Sequence, residues 1–269
     1  MERIQMPVKR LKYTANYCKR NIFSFAVILI SFFILNYILN NAQFFSDSHR
    51  IFIFIIWFIL ILFNLGYGML ITRDIIRNID KLPKIKFRET LVFGIKSSIV
   101  IVIYGIIQLT ILNIIADNFH FHTFELESAI INFSETIELF YTHDPVKTVL
   151  FIIISAIVTY ILVFFMEITL ARLADKGSLK SALNIISVKH CIDIIGWRHY
   201  TVDYTKLILT IAVLTYIKYG IHMSALPNTI FDVIINLLIF IVEYIGIGMI
   251  YNEYVEKKIE DEGMPVEIE

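Results

Sequence analysis

The sequence holds two cysteines, five prolines, ten glycines and two tryptophans in 269 residues, and each scarcity removes a class of protein. Cys18 and Cys191 cannot build a disulfide framework and have no metal-binding spacing. Both fall on the side that the charge pattern marks as reducing, so no disulfide is expected, and Cys18 is the one placed beside an apolar run for lipidation. The few glycines form no phosphate-cradling loop with Lys-Ser or Lys-Thr and no G-x-S-x-G elbow, and the histidines form no H-E-x-x-H pair. Lacking those signatures, the chain is expected to be no enzyme and to carry no cofactor. An excess of positive charge is also missing, with 24 Lys and Arg against 24 Asp and Glu, so nothing points to nucleic acid.

What fills the sequence instead is apolar: 57% of residues are hydrophobic and the mean hydropathy is +0.71. These residues gather into six runs of about 20, the length that crosses a hydrocarbon core of about 30 Å as a helix. The runs are 22–40, 51–72, 91–116, 148–170, 204–225 and 228–251. Pro7, Pro83, Pro145, Pro227 and Pro265 all lie outside them, and a tight Leu226-Pro227 turn is expected between the last two. Unpaired backbone groups are excluded from lipid, and the runs lack the alternation of barrel strands. The fold class is therefore an all-α integral membrane protein, a six-helix transmembrane bundle.

Charge gives the expected topology. A basic arm, 1–21, precedes the membrane domain, 22–251, and an acidic tail, 252–269, follows it. The second link carries Arg73, Arg77, Lys81, Lys84, Lys86 and Arg88, and the fourth carries Arg172, Lys176, Lys180, Lys189 and Arg198. Only Arg50 and Lys147 fall in outward links, while the third link holds Glu125, Glu127, Glu135 and Glu138. The Lys and Arg bias places both termini in the cytoplasm and the basic links against anionic lipid, the expected partner. Oligomeric state is not encoded in any pattern found.

Two links are expected to hold interfacial helices. After Ser178 as a cap, Ala182, Ile185, Val188, Ile192 and Ile195 share a stripe; in the third link Ile130, Phe133, Ile137 and Phe140 do the same. A weak repeat relates Arg77-x-x-Asp80-Lys81 to Arg172-x-x-Asp175-Lys176. Gly66-x-Gly68-Met69 and Gly246-x-Gly248-Met249 mark two places where helices could approach closely.

Several of these residues together, Gly66-Tyr67, Leu82-Pro83, Gly94, Tyr104, Ala171-Arg172-Leu173-Ala174 and Gly177-Ser178-Leu179-Lys180-Ser181-Ala182, carry a resemblance. The chain resembles, from the first span to the sixth, the largely archaeal membrane family catalogued as domain of unknown function 4013. The resemblance implies the architecture and an archaeal cytoplasmic membrane; the family has no established activity, so it supplies no catalytic residue.

Ionisable groups inside spans are the candidate functional residues, because charge in lipid is costly and faces protein or water. They are Glu243, Asp232, Lys218, Glu167 and Lys96, with Lys218 and Asp232 placed to pair across the last hairpin. Glu167 and Lys96 stand near span ends, where snorkelling accounts for them. His120, His122 and His143 are weak metal candidates in the acidic outer link, and Asn132 opens a glycosylation sequon there. Two functions remain open: a non-enzymatic component of envelope or lipid organisation, or a small transporter or channel built on Glu243, Asp232 and Lys218. A membrane enzyme stands third.

Overall fold

Hydrocarbon offers backbone amides no partner, and the Ile- and Phe-rich runs meet that demand by coiling into α-helices. The computed structural model describes residue 17 and residues 21–41, 47–79, 81–119, 142, 144–220 and 225–262. Among the described residues all regular structure is helical: α1 (Ile22–Asn41), α2 (Asp47–Ile76), α3 (Phe87–Asn118), α4 (Pro145–Lys176), α5 (Leu179–Ala182), α6 (Ile185–Ile195), α7 (Trp197–Gly220) and α8 (Ala225–Glu262).

Five stretches, Ile22–Leu39, Ile51–Ile76, Phe87–Asn118, Pro145–Lys176 and Ile230–Glu260, are long and apolar enough to cross a membrane. α7, which contains the expected fifth span, is not among them. Arg198, His199, Asp203 and Lys206 occupy its opening turns, so its apolar part begins only at Leu207. From there to Ile217 it covers about 16 Å at 1.5 Å per residue, and residues 221–224 of the expected span lie outside the described residues.

Helix ends follow local chemistry. Pro145 opens α4, where its missing N–H is no loss, and the Asp144 carboxylate accepts the Lys147 backbone N–H at 3.1 Å. That backbone bond holds the Asp144 carboxyl below its ordinary range. Pro227 differs from expectation: α8 begins at Ala225, so Leu226 and Pro227 form its first turn rather than a separate one. Proline is tolerated there for the same reason. The interfacial helix of the fourth link is also two pieces. Ser178 makes no side-chain cap; Asn184 breaks the run and caps α6 by accepting the Ser187 N–H at 3.2 Å. Val188, Cys191, Ile192 and Ile195 form the buried stripe of α6, whereas Ile185, at its first position, is exposed. The matching helix expected in the third link lies outside the described residues.

The chain divides into two units, one of residues 1–98 and 168–269, the other of residues 99–167. In the first, α8 is the central element, packing on α1, α2, α6 and α7. The first half of α2 presents Ile51, Phe52, Phe54 and Ile55 outward, a surface suited to lipid, and from Leu62 onward the helix is mostly buried. Glycine sets the closest approaches. A Cβ on Gly66 would overlap the Thr90 carbonyl of α3, and one on Gly94 would overlap the Leu62 carbonyl of α2, so these backbones touch directly. Gly68 lies under the Tyr244 ring, Gly246 against Leu207 and Gly248 against Ile75. In the second unit, Gln108 donates to Thr159 Oγ1 at 3.1 Å, and Phe119 meets Phe151 edge-on beside buried Ala116.

Gly66→Ala should cost about 1 to 3 kcal/mol, because backbone cannot yield to the added methyl. Gly105→Ala, with no atom within 4 Å of its Cβ position, should cost nothing measurable. Thermal melting of the two variants in one detergent compares them directly.

Candidate functional site

The second link is where helix-end chemistry concentrates charge. α2 closes with Asn78 at φ 55°, its N–H donating to the Ile75 carbonyl at 3.0 Å while Ile79 N–H reaches the Asp74 carbonyl at 2.8 Å. This is a Schellman closure with asparagine in the left-handed position. The chain beyond it is tied down at Leu82 and Pro83, both buried. The Pro83 carbonyl accepts from Tyr67 Oη and from Ser24 Oγ, each at 2.9 Å, and the Leu82 carbonyl accepts from Asn21 Nδ2 at 3.0 Å. Asn21 also caps α1 through the Ser24 N–H. The link is thus held to α1 and α2 by three side-chain bonds, and its cations project from a fixed frame.

Between these elements lies a crevice of about 780 Å³ lined by five cations, Arg73, Arg77, Lys81, Lys84 and Lys86, and by two acids, Asp74 and Glu89. Arg73 is committed inward: it pairs with Glu89, stands 3.7 Å from Asp74 and lies over the Phe93 ring at 5.6 Å. Lys86 reaches Glu89 at 3.5 Å. Arg77, Lys81 and Lys84 are exposed at the crevice wall and supply its positive excess. Arg88 is exposed but does not line the crevice.

The fourth link is different in kind. Arg172 is only 7% exposed, and its guanidinium donates to the carbonyls of Ser181 and Ser187, each at 3.2 Å, and to Cys191 Sγ at 2.9 Å. It is therefore no lipid-facing group but the pin that folds α5 and α6 back on α4. The supposed repeat explains itself through register: α2 stops before Arg77, whereas α4 runs past Arg172 to Lys176. Lys176 is half-exposed and pairs with Asp175 at 3.0 Å, and Lys180 is exposed on α5.

The candidates inside spans do not converge on one place. Lys96 donates to the Gly177 carbonyl at 2.6 Å, completing the C-terminal end of α4. Lys218 donates to Asn236 Oδ1 at 3.1 Å, one turn of α8 beyond Asp232. Asp232 and Glu243 are half-buried, and Glu167 is buried in α4. Asn132, His120, His122, His143 and Cys18 lie outside the described residues; Cys191 is a free, buried thiol. Sequence reasoning missed His199, Asp203 and Glu253, which meet where α7 packs on α8. The i,i+4 spacing of His199 and Asp203 was the available signal.

A family model described as "Protein of unknown function (DUF4013)" matches residues 50–227. No curated protein and no solved structure matches the chain. The matched part begins at the start of α2 and ends in the first turn of α8, leaving α1 and most of α8 outside it.

Arg172→Ala should cost about 3 kcal/mol by removing a buried side chain and its three bonds to Ser181, Ser187 and Cys191. Its specific readout is Cys191: in a Cys18→Ser background the thiol should resist maleimide in the parent and react in the Arg172→Ala variant.

Proposed function

The chain belongs to the DUF4013 family of proteins of unknown function, and on that premise we propose a non-enzymatic membrane protein whose basic crevice holds the phosphate of an anionic lipid. In this reading it is a multi-pass component of an archaeal cytoplasmic membrane, with both termini inside, serving lipid or envelope organisation. One observation carries the proposal: Arg77, Lys81 and Lys84 line a crevice whose walls are fixed by Tyr67, Ser24 and Asn21. Topology alone asks only for positive charge somewhere in the link. Holding that charge around a concavity supports recognition of a discrete anion, since a fixed frame lowers the entropic cost of binding.

The crevice lies at the start of the Ile22–Leu39 stretch and the end of the Ile51–Ile76 stretch, which in this reading is the level of the headgroups. Each cation near an anionic surface contributes about 1 kcal/mol, so three of them account for an affinity gain of roughly a hundredfold.

Titration of the detergent-solubilised chain with a phosphoglycerol lipid and a phosphocholine lipid tests this. The parent should prefer the first, and Arg77→Gln with Lys81→Gln and Lys84→Gln should lose that preference while Arg88→Gln keeps it. Equal binding of both lipids by the parent defeats the reading. Ion flux into proteoliposomes that falls in Glu243→Gln and Asp232→Asn would support a transporter in its place.

A further inference from the structure

α6 ends at Gly196, whose φ of 95° turns the chain within one residue so that α7 starts at Trp197. His199 and Asp203 therefore stand on one face of the opening turns of α7, four residues apart. Glu253 arrives from α8. Its helix is fixed on both sides of that point: Gly246 packs on Leu207, and Lys257 Nζ donates to the Ile195 carbonyl at 2.8 Å and reaches that of Ile194 at 3.5 Å. Glu253 Oε2 and Oε1 lie 2.9 and 3.2 Å from His199 Nε2, and Asp203 Oδ2 lies 3.3 Å from the same nitrogen. Lys206 holds the other oxygen, Oδ1, at 2.8 Å, which orients a carboxylate that is only 4% exposed.

We propose that His199, Asp203 and Glu253 form a seat for a divalent cation of the zinc class. Three considerations support it. First, bonds of about 2.0 to 2.2 Å from one ion to nitrogen and carboxylate oxygen place the donor atoms roughly 3 to 3.5 Å apart, and the two nitrogen-to-oxygen spacings here are 2.9 and 3.3 Å. Second, a single Nε2–H points in one direction and serves one acceptor well, whereas carboxylates from two helices converge on this nitrogen. An ion among the three serves all of them, and protons compete with it for the same atoms. Third, Lys206 fixes the second oxygen of the Asp203 carboxylate and so plays the orienting part that partners of metal ligands commonly take. Imidazole with carboxylates suits a borderline ion better than a soft one.

A crevice of about 610 Å³ reaches the cluster and is lined by Trp197, Arg198, His199, Asp203 and Lys206. Three protein donors leave coordination positions on that side for water or an anionic ligand. The ion would cross-link the opening of α7 to the far part of α8.

The experiment uses the full chain in detergent, stripped with chelator and dialysed against Zn²⁺, with bound metal measured for the parent, His199→Ala and Glu253→Gln. The parent should retain one more Zn²⁺ than either variant, uptake at other histidines being common to all three, and Glu253→Gln should bind at least roughly tenfold more weakly. Zn²⁺ should also raise the melting temperature of the parent and not of the variants. Equal zinc content in the three proteins overturns the proposal. Should a variant fail to fold, a Trp57→Phe parent leaves Trp197 as the one indole: saturable quenching by one equivalent of Co²⁺ supports the site, and absence of quenching overturns it.

Discussion

The buried half of α2 is the constraint on which the first unit depends. Lipid tails are as apolar as the side chains they meet, so helices there gain little from hydrophobic association and rely on close packing and on polar bonds. Within a few turns α2 supplies both, to three neighbours. Asn64 Oδ1 accepts from Ser31 Oγ of α1 at 2.7 Å. Gly66 lets the α3 backbone touch, Gly68 admits the Tyr244 ring, and Thr72 Oγ1 donates to the Tyr244 carbonyl of α8 at 3.0 Å. Tyr67, fully buried between them, spends its hydroxyl on the Pro83 carbonyl. The positions of the link cations follow from these contacts, since the loop that carries them hangs from Tyr67.

Helix ends explain a second share of the charge. Each C-terminal end leaves carbonyls without an intrahelical partner, and near lipid these need donors. Lys96 meets the Gly177 carbonyl after α4, Arg172 meets that of Ser181 in α5, and Lys257 meets that of Ile195. Cations favour this end of a helix on electrostatic grounds as well. Arg172, read from sequence as topological charge, therefore also holds the fold, as does Lys257, and Lys96 does so from within a span. In the proposed anion site, the cations without such duty are chiefly Arg77, Lys81 and Lys84.

Hydropathy made most of the helices legible, since backbone satisfaction in lipid leaves little choice: expected 22–40 is Ile22–Asn41, and expected 148–170 lies within Pro145–Lys176. The glycine pairs were legible for the same reason, as small residues matter most where backbones meet. Register was not. Nothing in periodicity tells that Asn184 splits one amphipathic stretch in two, or that Gly196 reverses the chain in a single residue so that α7 begins seven residues before the expected 204. Pattern matching equated Arg77 with Arg172, and the helix end decides otherwise. The His199, Asp203 and Glu253 cluster was half visible, as an i,i+4 pair, but its third member is 50 residues beyond Asp203 in a segment read as acidic tail.

The intramembrane acids weigh against a relay along α8. Between Asn236 and Asn252 its only carboxylate is Glu243, with Ile239 and Phe240 one turn before and Gly246 and Ile247 one turn after. Asp232 is eleven positions away, about 16 Å along the axis. Proton transfer needs heavy atoms within about 3 Å or a bridging water. Side chains of α8 cannot cover that distance, and Lys218, expected from the sequence to pair with Asp232, gives a hydrogen bond to Asn236. A path through this helix would have to be carried by ordered water, whereas a half-buried carboxyl on a packed helix needs only one donor to be satisfied. Both proposed sites lie instead at the ends of helices, where α2 turns into α3 and where α7 starts beside α8.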